Sequence, residues 1–69
     1  MPLAVEIGQK WSTWVPGRQQ WLLATVTGRE SETVILKYDA RYGMKRGEDH
    51  KSDESTMLTN RNLFRFIES

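Results

Sequence analysis

Apolar and polar positions alternate most clearly in two runs, "QWLLATVTG" (20–28) and "ETVILKYDA" (32–40), both rich in β-branched and aromatic residues. Period two gives each run two faces. Leu22, Ala24 and Val26 share one face of the first run, and Val34, Leu36 and Tyr38 share one face of the second. Gly28, Arg29, Glu30 and Ser31 are turn-like, so the pair predicts a β-hairpin with those six apolar residues as core. The opposite faces carry Trp21, Leu23, Thr25, Ile35, Lys37 and Asp39, a mixed surface and not a cleanly polar one.

Upstream, "AVEIGQKWST" (4–13) predicts an opening strand bent or bulged at Gly8, with Trp11 in the core. "WVPGRQQ" (14–20) predicts a connecting turn, because Pro16 has no N–H to give to a central ladder. Downstream, "ARYGMKRGEDHKSDE" (40–54) combines glycine with many charges and predicts a long exposed loop or a splayed hairpin. "STMLTNRNLFRFIES" (55–69) predicts a strand around Thr56 to Leu58, a turn at Asn60 to Asn62, and a last strand containing Phe64 and Phe66. A competing reading of the same stretch starts a short helix after Asp53, used as N-cap, and turns Met57, Leu58 and Leu63 inward. Together these runs predict an all-β fold, a small five-stranded, strongly bent antiparallel barrel whose closure removes exposed strand edges.

Length then raises the stakes on every large apolar residue. At 69 residues the chain is a single domain (1–69), near the size where one core is only just sufficient. With 38% hydrophobic and 28% charged residues and a net charge of +1, it reads as folded, neither disordered nor polycationic. There is no cysteine, which excludes disulfides and thiolate zinc sites and points to a reducing compartment. No basic region precedes an apolar run of signal length, and no run approaches the ~18 apolar residues of a membrane helix. A cytoplasmic protein without membrane partners is the expectation.

Catalytic and metal chemistry find little to work with. His50 stands among Glu48, Asp49, Asp53 and Glu54 in "EDHKSDE", but the spacing matches neither a calcium loop nor a zinc motif. No cysteine nucleophile and no glycine-rich phosphate cradle is present. No enzyme activity, metal or cofactor is expected.

The concentrated signal is "WSTWVPGRQQW" (11–21), which holds all three tryptophans of the chain. Trp14, beside Pro16, either caps one end of the fold or stands open, and Trp21 lies opposite the face of Leu22, Ala24 and Val26. The order of parts resembles Tudor-like domains over roughly residues 5 to 67. The resemblance is carried by an opening strand with a glycine ("EIGQKW"), an aromatic-bearing loop, "WLLATV", a strand ending in an aromatic and an acid ("VILKYD"), then "RYG" and a turn into a final strand. It implies a non-catalytic module that binds a protein or peptide through an aromatic cage, with Trp14, Trp21, Tyr38 and Tyr42 as walls and Asp39 as the nearby acid. Aromatic faces attract a cation within about 6 Å by roughly 0.5–2 kcal/mol. The chain departs from the family at "YDARYGM": Ala40 and Arg41 stand before the Tyr-Gly pair and Met44 follows it, and Arg41 brings a like charge toward any cationic ligand.

Two other functions compete for the same aromatics. Arg18, Lys37, Arg41, Lys45, Arg46 and Lys51 are interleaved with them, the combination that binds single-stranded nucleic acid weakly by stacking and charge. Alternatively, Trp21, Leu23 and Ile35, the last two expected to be neighbours on the outer face, form a patch for self-association or assembly.

Overall fold

The computed structural model describes residues 2–38 and 49–69. The chain runs β1 (Lys10–Val15), β2 (Gln20–Glu30), β3 (Thr33–Tyr38), β4 (Asp49–Asp53), α1 (Glu54–Thr59) and β5 (Phe64–Glu68). The strands form one antiparallel sheet in the order β4-β3-β2-β1-β5. β4 and β5 are its two edges, and they do not pair with each other. The fold is therefore all-β with five antiparallel strands, as expected, but the sheet is open where a closed barrel was predicted. The physical reason lies in α1, which packs against both β4 and β5 and covers the inner face in place of strand pairing.

The hairpin forms as the alternation predicts, with a different turn. β2 continues through Gly28, Arg29 and Glu30, which oppose Ile35, Val34 and Thr33, and the chain reverses at Ser31 and Glu32. Ser31 takes the left-handed conformation the turn needs (φ 57°). One extra residue is absorbed between Val26 and Gly28. This bulge changes the phase of the alternation. Leu22, Ala24 and Val26 face inward before it, whereas Arg29, opposite the buried Val34, faces inward after it.

The core is the inner face: Trp11, Leu22, Ala24, Val26, Val34 and Leu36 are at most 1% exposed, and Phe64 is buried at 8%. Tyr38 and Phe66 pack on it, Phe66 meeting Trp11 edge to face at 5.6 Å between centroids. Val5 and Met57 are also buried, from the N-terminal segment and α1. The N-terminal segment bends at Gly8 (φ 97°), as expected, and bonds to β2 through Gly8 N–H to Val26 C=O and Val26 N–H to Gln9 C=O, both at 2.9 Å. Gln9 is buried too, and its Oε1 accepts the indole N–H of Trp11 at 3.1 Å while its Nε2 donates to the Ala4 carbonyl at 3.3 Å.

Two expectations downstream are corrected. Thr56 to Leu58 is not a strand; the competing helix is right, with Asp53 as N-cap accepting from the Thr56 N–H at 3.3 Å and Met57 fully buried. Capping chemistry wins because Asp53 offers the first turn an acceptor that an extended chain would leave unused. Of the two readings of residues 40–54, a long exposed loop or a splayed hairpin, the loop is corrected for 49–53, which form β4, a polar strand ("DHKSD") that pairs antiparallel with β3 from Lys37↔Asp49 to Thr33↔Asp53. The turn after α1 stands as expected, with Leu63 and Phe64 N–H donating to the Asn60 carbonyl at 3.2 and 3.0 Å.

Arg29 ties these pieces together with all five of its N–H donors. Its two terminal nitrogens each donate to a different oxygen of Glu54 at 2.9 Å, one also reaches the Val5 carbonyl at 2.6 Å, and the Ser31 carbonyl accepts from the remaining two positions at 2.9 and 3.3 Å. Glu54 Oε2 in turn accepts the Val5 N–H at 2.9 Å. The Arg29 hydrogen bonds, followed by the Val5 N–H, hold the Glu54 carboxyl below its ordinary value of 4.5.

Two outcomes follow from these contacts. Gln9→Leu leaves the buried Trp11 N–H without an acceptor and should cost on the order of 1–3 kcal/mol in urea unfolding, whereas Gln9→Glu at neutral pH, which keeps an acceptor but buries a charge, should not recover it. Because the carboxyl of Glu54 is more acidic in the folded chain, its contribution is fully present above about pH 4.5 and is lost as the pH falls through its folded-state value. Thermal melts from pH 6 to pH 2 should therefore show a steeper acid loss for the natural chain than for Glu54→Gln, which is already weakened at pH 6.

Candidate functional site

The sheet's outer face is where two of the predicted aromatics meet. Trp14 on β1 and Trp21 on β2 are directly paired across the first hairpin. Both side chains point away from the core by alternation with buried Thr13 and Leu22, and both are half-buried. Their ring centroids are 5.6 Å apart with planes tilted by 60°. Such cross-strand aromatic pairs stabilise a ladder by roughly 0.5–1.5 kcal/mol beyond the area they cover.

A third residue completes the arrangement. β5 lies on the other side of β1, and Arg65, opposite Ser12, projects onto the same outer face. Its guanidinium carbon sits 4.2 Å from the centroid of the Trp21 ring, and its Nε donates to the Arg61 carbonyl at 3.3 Å. The cation is thus held over the indole by a hydrogen bond at its base.

The remaining site residues are placed elsewhere. Tyr38 opposes Ala24 on the inner face, packs on the core and lies 5.5 Å from the His50 ring, so it does not join Trp14 and Trp21 in one cage. The cause is parity: Tyr38 shares the face of Val34 and Leu36, while the two tryptophans occupy the other. Asp39, Tyr42, Arg41, Lys45 and Arg46 lie outside the described residues. Of the expected basic set, Lys37 approaches Asp49 at 3.9 Å on the outer face of the β3–β4 pair, and Arg18 sits in the turn between β1 and β2. Leu23 and Ile35 do face outward, but they are not neighbours. The bulge places Ile35 opposite Gly28, and the Thr25↔Lys37 pair separates it from Leu23.

Arg65 is the functional candidate that the sequence reading missed. The alternation in "FRFIE" already puts it opposite Phe64 and Phe66, yet nothing local indicates that β5 docks beside β1 and brings Arg65 over Trp21. Among the described residues no group of three or more histidines and carboxylates is gathered as a metal site, and Glu54 of the acidic run is engaged by Arg29. Comparison of the chain with known protein families, curated proteins and solved structures gives no match.

Trp11 and Trp14 should separate by stability. Trp11→Ala opens the core and should cost about 3–5 kcal/mol, while Trp14→Ala removes a half-buried partner and should cost on the order of 1 kcal/mol. Equal losses in urea unfolding would show that Trp14 serves as core.

Proposed function

We propose that this chain is a non-catalytic interaction module that binds a protein or peptide through the outer-face surface formed by Trp14, Trp21 and Arg65. The observation that carries the reading is the guanidinium of Arg65 stacked 4.2 Å above Trp21, beside the Trp14 ring. Two large rings and an arginine held by its neighbours lose little freedom on binding, and tryptophan and arginine are the residue types that dominate interface energetics.

The same contact refines what kind of group binds there. A cage for a methylated lysine or arginine needs the indole faces empty, and here a cation of the chain itself already covers one face of Trp21. An incoming cation must displace Arg65 and meets its charge. A neutral or acidic group meets no such cost and gains the outward donors of the guanidinium. The partner is accordingly an apolar or aromatic side chain flanked by a carboxylate, in preference to a methylated cation.

Selection of a displayed heptapeptide library on the immobilised chain tests this. Enriched peptides should carry an aromatic or aliphatic residue next to an acid, and Trp14→Ala should weaken them by roughly tenfold or more while the circular dichroism spectrum is unchanged. Binding that is indifferent to Trp14, or an unfolded variant spectrum combined with no loss for Arg65→Gln, would remove the reading. A tryptophan quench by a deoxythymidine 12-mer that fades with salt would transfer the surface to nucleic acid.

A further inference from the structure

We propose that the outward edge of β5 is a second binding surface, one that accepts an extended peptide strand with alternating acidic and apolar side chains. The inference rests on the reading of the chain as a peptide-binding module and adds the class and conformation of the peptide, on a surface that Trp14 does not line.

Among the described residues no strand pairs with the outward edge of β5, since β5 pairs with β1 alone. The Trp14 N–H donates to the Leu63 carbonyl at 2.8 Å, which fixes the parity: Leu63 and Arg65 turn their backbone groups to β1, and Phe64 and Phe66 turn theirs outward. The Phe64 N–H is taken by the Asn60 carbonyl, and among the described residues the Phe64 carbonyl and the Phe66 amide are left for a new strand. Edge strands in folded proteins are usually blunted by charge, by proline or by shortness. The opposite edge obeys that rule, since β4 reads "DHKSD". β5, equally short, carries charge at Arg65 and Glu68, but it reads "FRFIE", contains no proline, keeps three apolar residues and leaves Ile67 51% exposed.

Charge selects the occupant. A cavity of about 480 Å³ lies at this edge, and the described residues lining it are Arg61, Phe64, Arg65 and Phe66. Among the described residues two arginines and two phenylalanines form the wall, and no acid does. Neither arginine takes part in an ion pair with a described residue. A strand added at the edge alternates its side chains between the two faces of the sheet. Those on the inner side run beside Phe64 and Phe66, where apolar groups fit. Those on the outer side run beside Arg65, where carboxylates fit, and an arginine braced on an indole presents its remaining donors to a carboxylate in a planar fork.

The test uses the full chain labelled with nitrogen-15 and titrated at low salt with the acetylated, amidated peptide Glu-Val-Glu-Val-Glu-Val. Amide shifts should concentrate at Phe64 to Ile67 and at Arg61, and they should weaken as salt rises. The Lys-Val counterpart, and a Glu-Val peptide N-methylated on the residues that face β5, should produce none. Arg61→Gln, a change in an exposed turn residue, should weaken binding roughly tenfold without altering the spectrum of the free chain. Trp14→Ala should leave this binding intact, so the two surfaces fail separately. Equal response to the Lys-Val peptide, absence of shifts at millimolar peptide, or shifts confined to Trp14 and Trp21 would overturn the edge proposal, and the last would leave the aromatic surface standing. Concentration-dependent shifts at β5 in the free chain would assign the edge to a second copy and overturn it as well.

Discussion

An open sheet buries one face only if other parts of its own chain fold onto that face, and among the described residues two parts do so. One is the N-terminal segment, which contributes Val5, and the other is α1, which contributes Met57. Neither belongs to the sheet. Both are held by the Arg29 guanidinium, which grips the Val5 carbonyl and both oxygens of Glu54 at once. A six-residue helix is far too short to persist alone, so α1 depends on this grip, on its Asp53 cap and on the burial of Met57. The grip depends in turn on the bulge after Val26. Without it, strict alternation would turn Arg29 to the outer face and leave Glu54 and Val5 without their common partner.

Much of this architecture is legible from period two alone. The hairpin, its inner row from Leu22 to Leu36, the bend at Gly8, the burial of Trp11 and the last strand all follow from side-chain alternation and turn chemistry. What alternation cannot show is a strand without an apolar face. β4 is held by backbone pairing to β3, and its polar side chains look like loop. Nor does it show the bulge, because Gly28, a residue type that also marks bulges, reads as the start of the turn. The position of the hairpin turn was misread for the same reason, since Gly28 and Arg29 belong to the ladder and Ser31 supplies the positive φ.

The candidate site divides along a similar line. Trp21 is legible as outward because it falls opposite Leu22, Ala24 and Val26, whereas Trp14, expected in the connecting turn, instead lies in β1, directly opposite Trp21. Tyr38 belongs to the inner row by its own parity, and its place on the core was already implied by Val34 and Leu36. Arg65 is the opposite case, for it reaches Trp21 only through the order β2-β1-β5, a long-range fact that no local window contains. Ring-rich loops suggest a cage from sequence. Whether a cage is empty depends on what the rest of the fold brings to it.

That dependence also orders the two surfaces described above. Arg65 belongs to both: its guanidinium covers Trp21 on the outer face, and its backbone lies in the strand whose other side is open. A peptide strand laid along β5 would pass its outer-facing side chains beside the same arginine that flanks the tryptophan pair. The aromatic surface and the edge are therefore continuous, and each favours the same partner chemistry, since an arginine fixed on an indole attracts a carboxylate and repels a cation whichever side the partner approaches from. On the proposed reading, one stacked cation turns a surface that its rings alone would recommend for cationic ligands toward acidic and apolar ones.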